Sequence, residues 1–342
     1  MSWLTDIARP EIRALRAYEH AAWEPGLVRL HANESPWRGL GDDSQAGLNR
    51  YPEPHPLEMS AALAQFYQVE PDMLLACRGS DEAIDLLIRG YCRAGSDAIL
   101  VCPPTFGMYG VAARVQGAAV VEIPLLRELG YACDFAAVAA PSHSAVKLVF
   151  LCSPNNPTGN RFDSAAIIAL ARALSGRALV VVDEAYVEFA DGPSLIAQLA
   201  TQPGLVVLRT LSKAYALAGA RCGALIAHRD VVALLRKVIQ PYAITQLTIE
   251  AVFRMLEPEA LDAARALCDP QVRAQSRRGG PGHARRRAPC VAQRNQFPAG
   301  GIRRPARCAR ARARRRSTGA RSACRPGDLA RGAHQHRQAG AE

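Results

Sequence analysis

The 342-residue chain has no apolar run approaching the roughly 18 residues that a membrane span requires. Met1 to Arg13 lack an apolar segment between a basic start and a small-residue cleavage site, so no secretory signal is read and a cytoplasmic location is expected. The ten cysteines, at positions 77, 92, 102, 133, 152, 222, 268, 290, 308 and 324, include no Cys-x-x-Cys pair. That spacing suits buried reduced thiols better than a disulfide framework or a zinc site, and no metal is expected. Residues 271–342 lack lysine altogether and hold only two acids, Asp328 and Glu342, against 19 arginines. Their charge is +17, which leaves −6 for residues 1–270 out of a total of +11. Large aliphatic or aromatic residues are scarce there too, being limited to Val272, Val291, Phe297, Ile302 and Leu329, with no period of 2 or 3.6. No core can be built from such a stretch, so residues 270–342 are expected to form a disordered tail.

The body of the chain reads differently. Apolar, β-branched runs at Ala98 to Val101, Ala118 to Ile123, Lys147 to Cys152, Ala178 to Val182, Leu205 to Arg209 and Gly223 to Ala227 have the length and composition of buried strands. Between and after them, Ser164 to Leu174 and Val231 to Ile239 carry helical periodicity. Alternation of this kind predicts an α/β fold with a mainly parallel sheet covered on both faces and polar groups gathered at strand ends. Because the length exceeds the roughly 250–300 residues at which single cores split, two domains are expected.

Four segments carry chemistry. Arg209-Thr-Leu-Ser-Lys213-Ala-Tyr-Ala-Leu-Ala-Gly-Ala-Arg221 places one amine among hydroxyls with a cation eight residues on, directly after an apolar run. A pyridoxal-phosphate aldehyde needs an amine for a Schiff base, and its phosphate needs hydroxyls, N–H groups and a cation. Asp183-Glu-Ala-Tyr186 follows the run ending at Val182; a buried carboxylate there can pair with a protonated pyridine nitrogen, keeping the ring an electron sink. A strand-end aspartate by itself is usually a turn or cap residue, but Lys213 thirty positions later alters that reading. Arg78-Gly-Ser80-Asp81-Glu precedes Ile84, Leu87, Ile88 and Tyr91, whose spacing predicts an amphipathic helix from Ser80 with free N–H groups for an anion. With Asp81 in its first turn, such a site works only if the backbone of that residue, and not its carboxylate, faces the phosphate. The fourth segment is Ser153-Pro-Asn-Asn156-Pro-Thr-Gly159.

In this order the four segments resemble the fold-type I pyridoxal-phosphate-dependent aminotransferases. The resemblance narrows to the histidinol-phosphate aminotransferases through Leu30-His-Ala-Asn33-Glu34-Ser-Pro36, Asn49-Arg-Tyr51-Pro-Glu-Pro-His-Pro56, Cys102-Pro-Pro-Thr-Phe106-Gly-Met-Tyr109 and Asp183-Glu-Ala-Tyr186-Val-Glu-Phe189. It runs from about residue 8 to about residue 265. It implies pyridoxal 5'-phosphate as cofactor, a mainly parallel seven-stranded sheet between helices, and a homodimer acting on small molecules. Lys213 would then be the Schiff-base lysine and proton shuttle, with Asp183 on the pyridinium nitrogen and Tyr186 and Asn156 on the phenolic oxygen. Phe106, where the family often has tyrosine, would stack on the ring. Ser80, Asp81, Thr210, Ser212 and Arg221 would form the phosphate cup, joined by Tyr51 from a second subunit, while Tyr18 and Asn33 would line the substrate site. The implied division is an N-terminal arm and part of a small domain at 1–48, a large cofactor-binding domain at 49–245, a connecting helix at 246–269, and the tail. The implied reaction exchanges the amino group of L-histidinol phosphate with 2-oxoglutarate, giving imidazole-acetol phosphate and glutamate in histidine biosynthesis.

The tail departs from the resemblance. As a nucleic-acid-binding arm it would neutralise phosphates through arginine, yet it has no interleaved aromatics and its partner region is acidic. A shifted reading frame explains it better. Advanced by one nucleotide, codons permitted for Cys290 through Ile302 can spell Val-Trp-Pro-Ser-Ala-Thr-Asn-Phe-Leu-Leu-Val-Glu-Phe, and those for Gly332 through Ala339 can spell Val-Arg-Ile-Ser-Ile-Gly-Lys-Pro. Both strings resemble the family's C-terminal small-domain strands, and the second holds an arginine where the family binds the substrate's anionic group. The frame is therefore read as shifted near residue 270. Two alternatives stay open at this level: a related pyridoxal-phosphate enzyme, such as a threonine-phosphate decarboxylase or an aromatic aminotransferase, and a non-catalytic protein with a basic nucleic-acid-binding tail.

Overall fold

The computed structural model describes residues 2–18, 27, 29–30 and 32–268. Seven strands form one sheet: β1 (Leu74–Cys77), β2 (Ala98–Val101), β3 (Ala119–Glu122), β4 (Val146–Cys152), β5 (Leu179–Asp183), β6 (Leu205–Thr210) and β7 (Gly223–Ala227). Their order is β1-β7-β6-β5-β4-β2-β3. The pairs β2–β3, β2–β4, β4–β5 and β5–β6 are parallel, and β7 runs antiparallel to both β6 and β1. The α/β reading from the sequence therefore stands, with one antiparallel strand inserted near an edge.

Apart from the edge strand β3, whose ends are exposed, the strands are largely apolar without alternation because the sheet is buried on both sides. Leu100, Val149, Val180, Val182 and Val207 belong to the core on one face, and Ile99, Phe150, Val181, Val206 and Leu208 to the core on the other. A strand with only one buried face would have shown period-2 polarity. The six strands read from the sequence recur within two residues at each end. Residues 74–77 gave no such signal, because Leu-Leu-Ala-Cys directly after a 3-10 turn at Pro71–Met73 holds none of the β-branched residues that mark the other runs.

The helix expected from Ser80 spans Ser80–Tyr91 and buries Ile84, Leu87, Ile88 and Tyr91 on the face turned to the sheet. Where a connecting helix was expected at 246–269, the described residues form two helices, Gln246–Met255 and Pro258–Cys268. Pro258 cannot donate a backbone hydrogen bond, so it opens a new helix instead of continuing the old one. The N-terminal arm meets the first of these where the Gln45 N–H donates to Glu250 Oε1 at 2.9 Å. The expected tail at 270–342 lies outside the described residues. No helix among the described residues is long and apolar enough to cross a membrane.

Candidate active site

The C-terminal ends of β4, β5 and β6 converge on one edge of the sheet, the usual position for a ligand crevice in such folds. Asp183 is the last residue of β5 and is only 2% exposed. Its Oδ2 accepts from the Tyr109 hydroxyl at 2.8 Å and its Oδ1 from the Ala185 N–H at 3.1 Å. Among the described residues no cation pairs with it. Burial pushes its carboxyl up to about 6, although the Tyr109 and Ala185 hydrogen bonds pull the other way; Asp81 and Glu184 add to the upward shift. A buried carboxylate with two donors and no cation is suited to receive a protonated ring nitrogen.

Lys213 follows β6 in an exposed turn, with Nζ 5.6 Å from the centroid of the Tyr186 ring. The chain has three lysines, at 147, 213 and 237. Lys147 sits inside β4, and Lys237 donates to the carbonyl of Arg13 at 3.0 Å. Among the described residues Lys213 has neither a strand position nor a backbone acceptor, which leaves its amine available for chemistry at this edge. Tyr186 is half-buried, and its phenol is pushed above the usual value first by burial and then by Cys152 and Asp183. Asn156 Nδ2 donates to the Tyr186 hydroxyl at 3.5 Å, so Asn156, Tyr186 and Lys213 form one group.

A second group lies beside the start of the Ser80–Tyr91 helix. Its N-cap is Gly79 at φ 81°, with no side-chain cap. Arg221, itself at φ 55°, sends Nη2 to Asp81 Oδ2 at 3.3 Å and Nη1 to Ser212 Oγ at 3.4 Å. Thr210, the last residue of β6, accepts from the Ser212 N–H through its hydroxyl at 3.2 Å. The Asp81 carboxylate is thus turned to Arg221, which leaves the uncapped helix start as the anion-facing feature. The glycines make this closeness possible: a Cβ on Gly223 would lie 2.7 Å from the Arg209 carbonyl and 2.8 Å from the Gly79 carbonyl carbon, and one on Gly79 would lie 3.0 Å from Arg221 Nη2. Free N–H groups, two hydroxyls and a guanidinium in a cradle that a single methyl group would fill are a fitting donor set for a phosphate.

Phe106 is half-buried and meets Tyr109 edge-on at 5.5 Å. The remaining expected residues are elsewhere. Tyr51 is half exposed, rests against Tyr242 at 4.7 Å, and gives its N–H to Glu34 Oε1 at 2.7 Å. Tyr18 is 72% exposed, and Asn33 is exposed at φ 53°. Neither joins the strand-end groups within the described chain. The residue that sequence reasoning passed over is Tyr109. It lies in the quoted run after Cys102, but nothing in its spacing shows that it reaches a carboxylate 74 positions away. Among the described residues no cluster of three or more metal-ligating side chains occurs.

A family model described as aminotransferase class I and II matches residues 30–278. The chain belongs to this family. A histidinol-phosphate aminotransferase of Stenotrophomonas maltophilia is 49% identical over 260 residues, which is 75% of this chain and 71% of that protein. Two solved structures share the fold. The L-threonine-O-3-phosphate decarboxylase of Porphyromonas gingivalis has a TM-score of 0.56 at 26% identity, covering 67% of this chain and 68% of that one. The histidinol-phosphate aminotransferase of Sinorhizobium meliloti, solved in complex with pyridoxal 5'-phosphate, has a TM-score of 0.60 at 24% identity, covering 68% and 62%. The chain therefore spans roughly two thirds of the length of the proteins it matches.

Proposed function

We propose that this chain is a pyridoxal-phosphate-dependent aminotransferase that converts L-histidinol phosphate and 2-oxoglutarate into imidazole-acetol phosphate and glutamate. The observation that carries the chemistry is the meeting, at one sheet edge, of a buried carboxylate without a cation partner among the described residues and a lysine amine over a tyrosine ring. The cofactor would supply an electron sink for charge developing at the substrate carbon. Asp183 would hold a proton on its ring nitrogen. Lys213 would bind its aldehyde carbon and then move a proton to and from the substrate carbon. Tyr186 and Asn156 would bond the phenolic oxygen, and Phe106 would cover the ring. Ser80, Asp81 through its backbone, Thr210, Ser212 and Arg221 would hold the phosphate.

The choice of substrate rests on likeness, since the fold alone is shared with a decarboxylase. Identity of 49% over 260 residues to a histidinol-phosphate aminotransferase favours that substrate over threonine phosphate or an aromatic amino acid. Tyr18 and Asn33 would line the substrate site. Tyr51 would reach the phosphate of a second subunit, making a homodimer in the cytoplasm. Residues 1–48 would form the N-terminal arm and part of a small domain, 49–245 the cofactor domain, and 246–269 the connection toward the small domain, a reading that the Gln45–Glu250 bond supports. The frame after about residue 270 would be shifted, leaving the nucleic-acid-binding alternative without an observation in its favour.

The test is reconstitution with pyridoxal phosphate followed by borohydride. The wild-type chain should retain the cofactor covalently at Lys213, and Lys213→Ala should retain none and lose at least about 10³-fold in amino transfer. A reducible link surviving in Lys213→Ala would sink the assignment. Histidinol phosphate, threonine phosphate and phenylalanine, offered in parallel as amino donors, decide the substrate.

A further inference from the structure

Tyr109 is wholly buried at the start of the Met108–Gln116 helix. Its ring is stacked on Phe150 at 4.9 Å and 14°, and it meets the Phe106 ring at 5.5 Å and 81°. Its hydroxyl donates to Asp183 Oδ2 at 2.8 Å and also lies within hydrogen-bonding reach of the Cys152 thiol. A core position between two phenylalanines needs no hydroxyl, and burying one is costly unless it is bonded. Here it is bonded to a carboxylate, which makes a charge-assisted hydrogen bond of the stronger kind. The Ala185 N–H holds the other oxygen. Both carboxylate oxygens are thus pinned, and any rotation about the Asp183 side chain breaks one of the two bonds.

We propose that Tyr109 is the positioning residue of this site: it fixes the orientation of the Asp183 carboxylate, favours its ionised form, and sets the edge of the Phe106 ring. The proposal rests on the aminotransferase reading for its purpose, but not for its geometry. Without Tyr109, the buried carboxylate keeps only one backbone donor, while burial and the nearby acids Asp81 and Glu184 oppose its charge. It would then take up a proton at a higher pH and leave the ring nitrogen without an anionic partner.

The experiment follows the Asp183 carboxyl by ¹³C NMR in cofactor-free protein, in wild type, in Tyr109→Phe, and with 3-fluorotyrosine placed at position 109. Tyr109→Phe keeps the ring packing and removes the donor; fluorination keeps the shape and strengthens the donor. The titration midpoint should rise by on the order of one pH unit in Tyr109→Phe and fall below wild type with fluorotyrosine. In the same set, pyridoxal-phosphate affinity should drop roughly tenfold in Tyr109→Phe, and the acidic limb of the kcat profile should move to higher pH. If Tyr109→Phe does not fold, the fluorotyrosine protein decides alone. A wild type that takes up pyridoxal phosphate while Asp183 titrates identically in every folded variant overturns the positioning role and leaves the aminotransferase reading standing. A wild type that takes up none overturns that reading, and the titration still decides the hydrogen bond.

Discussion

The strand-end groups and the N-terminal arm of this chain are finished to different degrees. At the sheet edge, Asp183, Tyr109, Asn156, Tyr186, Ser212 and Arg221 all find partners within the described chain. In the arm, Leu30 is 89% exposed and Trp37 78% exposed, and Tyr18 and Asn33 meet none of the site residues. The sheet positions its residues through backbone pairing buried on both faces, so a strand end is fixed once the strands are. Leu30 and Trp37 have no such frame, and these apolar side chains call for a covering surface that the described residues do not supply. Under the proposed reading, the strand-end part of the cofactor cradle would be in place where the substrate side is not.

The largest expected effect comes from supplying that cover. A chain with the frame advanced by one nucleotide after about codon 270 should resist trypsin along its full length. It should also turn over histidinol phosphate at least about 100-fold faster than the chain as written. The gain has two sources: apolar area covered at roughly 25 cal/mol per Å², and an arginine for the substrate's anionic group, worth roughly 1.5–3 kcal/mol. Equal turnover, together with a trypsin-resistant arginine-rich segment in the chain as written, would show that the segment is a folded domain and that the two regions differ for another reason.

Asp183→Asn probes the finished region, and its effects on rate and stability should run in opposite directions. Amino transfer should fall by on the order of 10–100-fold or more, since an amide cannot hold a ring nitrogen protonated; the lost contact alone is worth about 1.5–3 kcal/mol. For stability, burial raises the folded carboxyl from 3.8 to about 6, so the folded state binds the proton more tightly than the unfolded one. The carboxyl therefore favours folding fully below about pH 4, and that contribution is lost as the pH rises through 6. The loss is on the order of 3 kcal/mol. Cofactor-free Asp183→Asn should consequently melt above wild type at pH 8, with the gap closing toward pH 4. A gap that does not change with pH would mean that Asp183 is not the strained carboxylate described here.

How far each region could be read from sequence follows from the same contrast. Strands β2 to β7 were legible because continuous β-branched runs such as Leu179 to Val182 have few other uses, and Lys213, Asp183 and Ser80 were legible because each sits just past such a run or opens a periodic helix. β1 was illegible because Leu74-Leu-Ala-Cys77 holds no β-branched residue, unlike each of the other six runs. Tyr109 was illegible for another reason: its role depends on a contact across 74 residues, and a tyrosine among aromatics reads as core. The break before Pro258 could have been found from the proline itself, which opens helices more readily than it continues them. Tyr18, Asn33 and Tyr51 were named by resemblance alone, and no physical pattern in the sequence fixes what they touch.

The smallest expected effect belongs to a buried ion-pair group of the arm, around Glu34. The Glu34 side chain, 2% exposed, takes the Tyr51 N–H on Oε1 at 2.7 Å, and it pairs with Arg50 at 3.0 Å and Arg29 at 3.3 Å. Burial alone would raise its carboxyl, but the Tyr51 N–H and the two guanidinium groups outweigh burial and hold it below the usual value of 4.5. A lowered folded value means that Glu34 stabilises the arm above that pH and ceases to do so as the pH falls through the folded value. Glu34→Gln keeps an acceptor for the Tyr51 N–H and removes the charge that both arginines meet. At neutral pH it should therefore speed hydrogen exchange at the Tyr51 amide by roughly tenfold, corresponding to about 1–2 kcal/mol of local stability, while leaving the Asp183 titration unchanged. Amide protection at Tyr51 that survives the substitution would show that the backbone around Pro52 and Pro54 holds this turn without the charge, and the arm would then be more self-sufficient than its exposed side chains suggest.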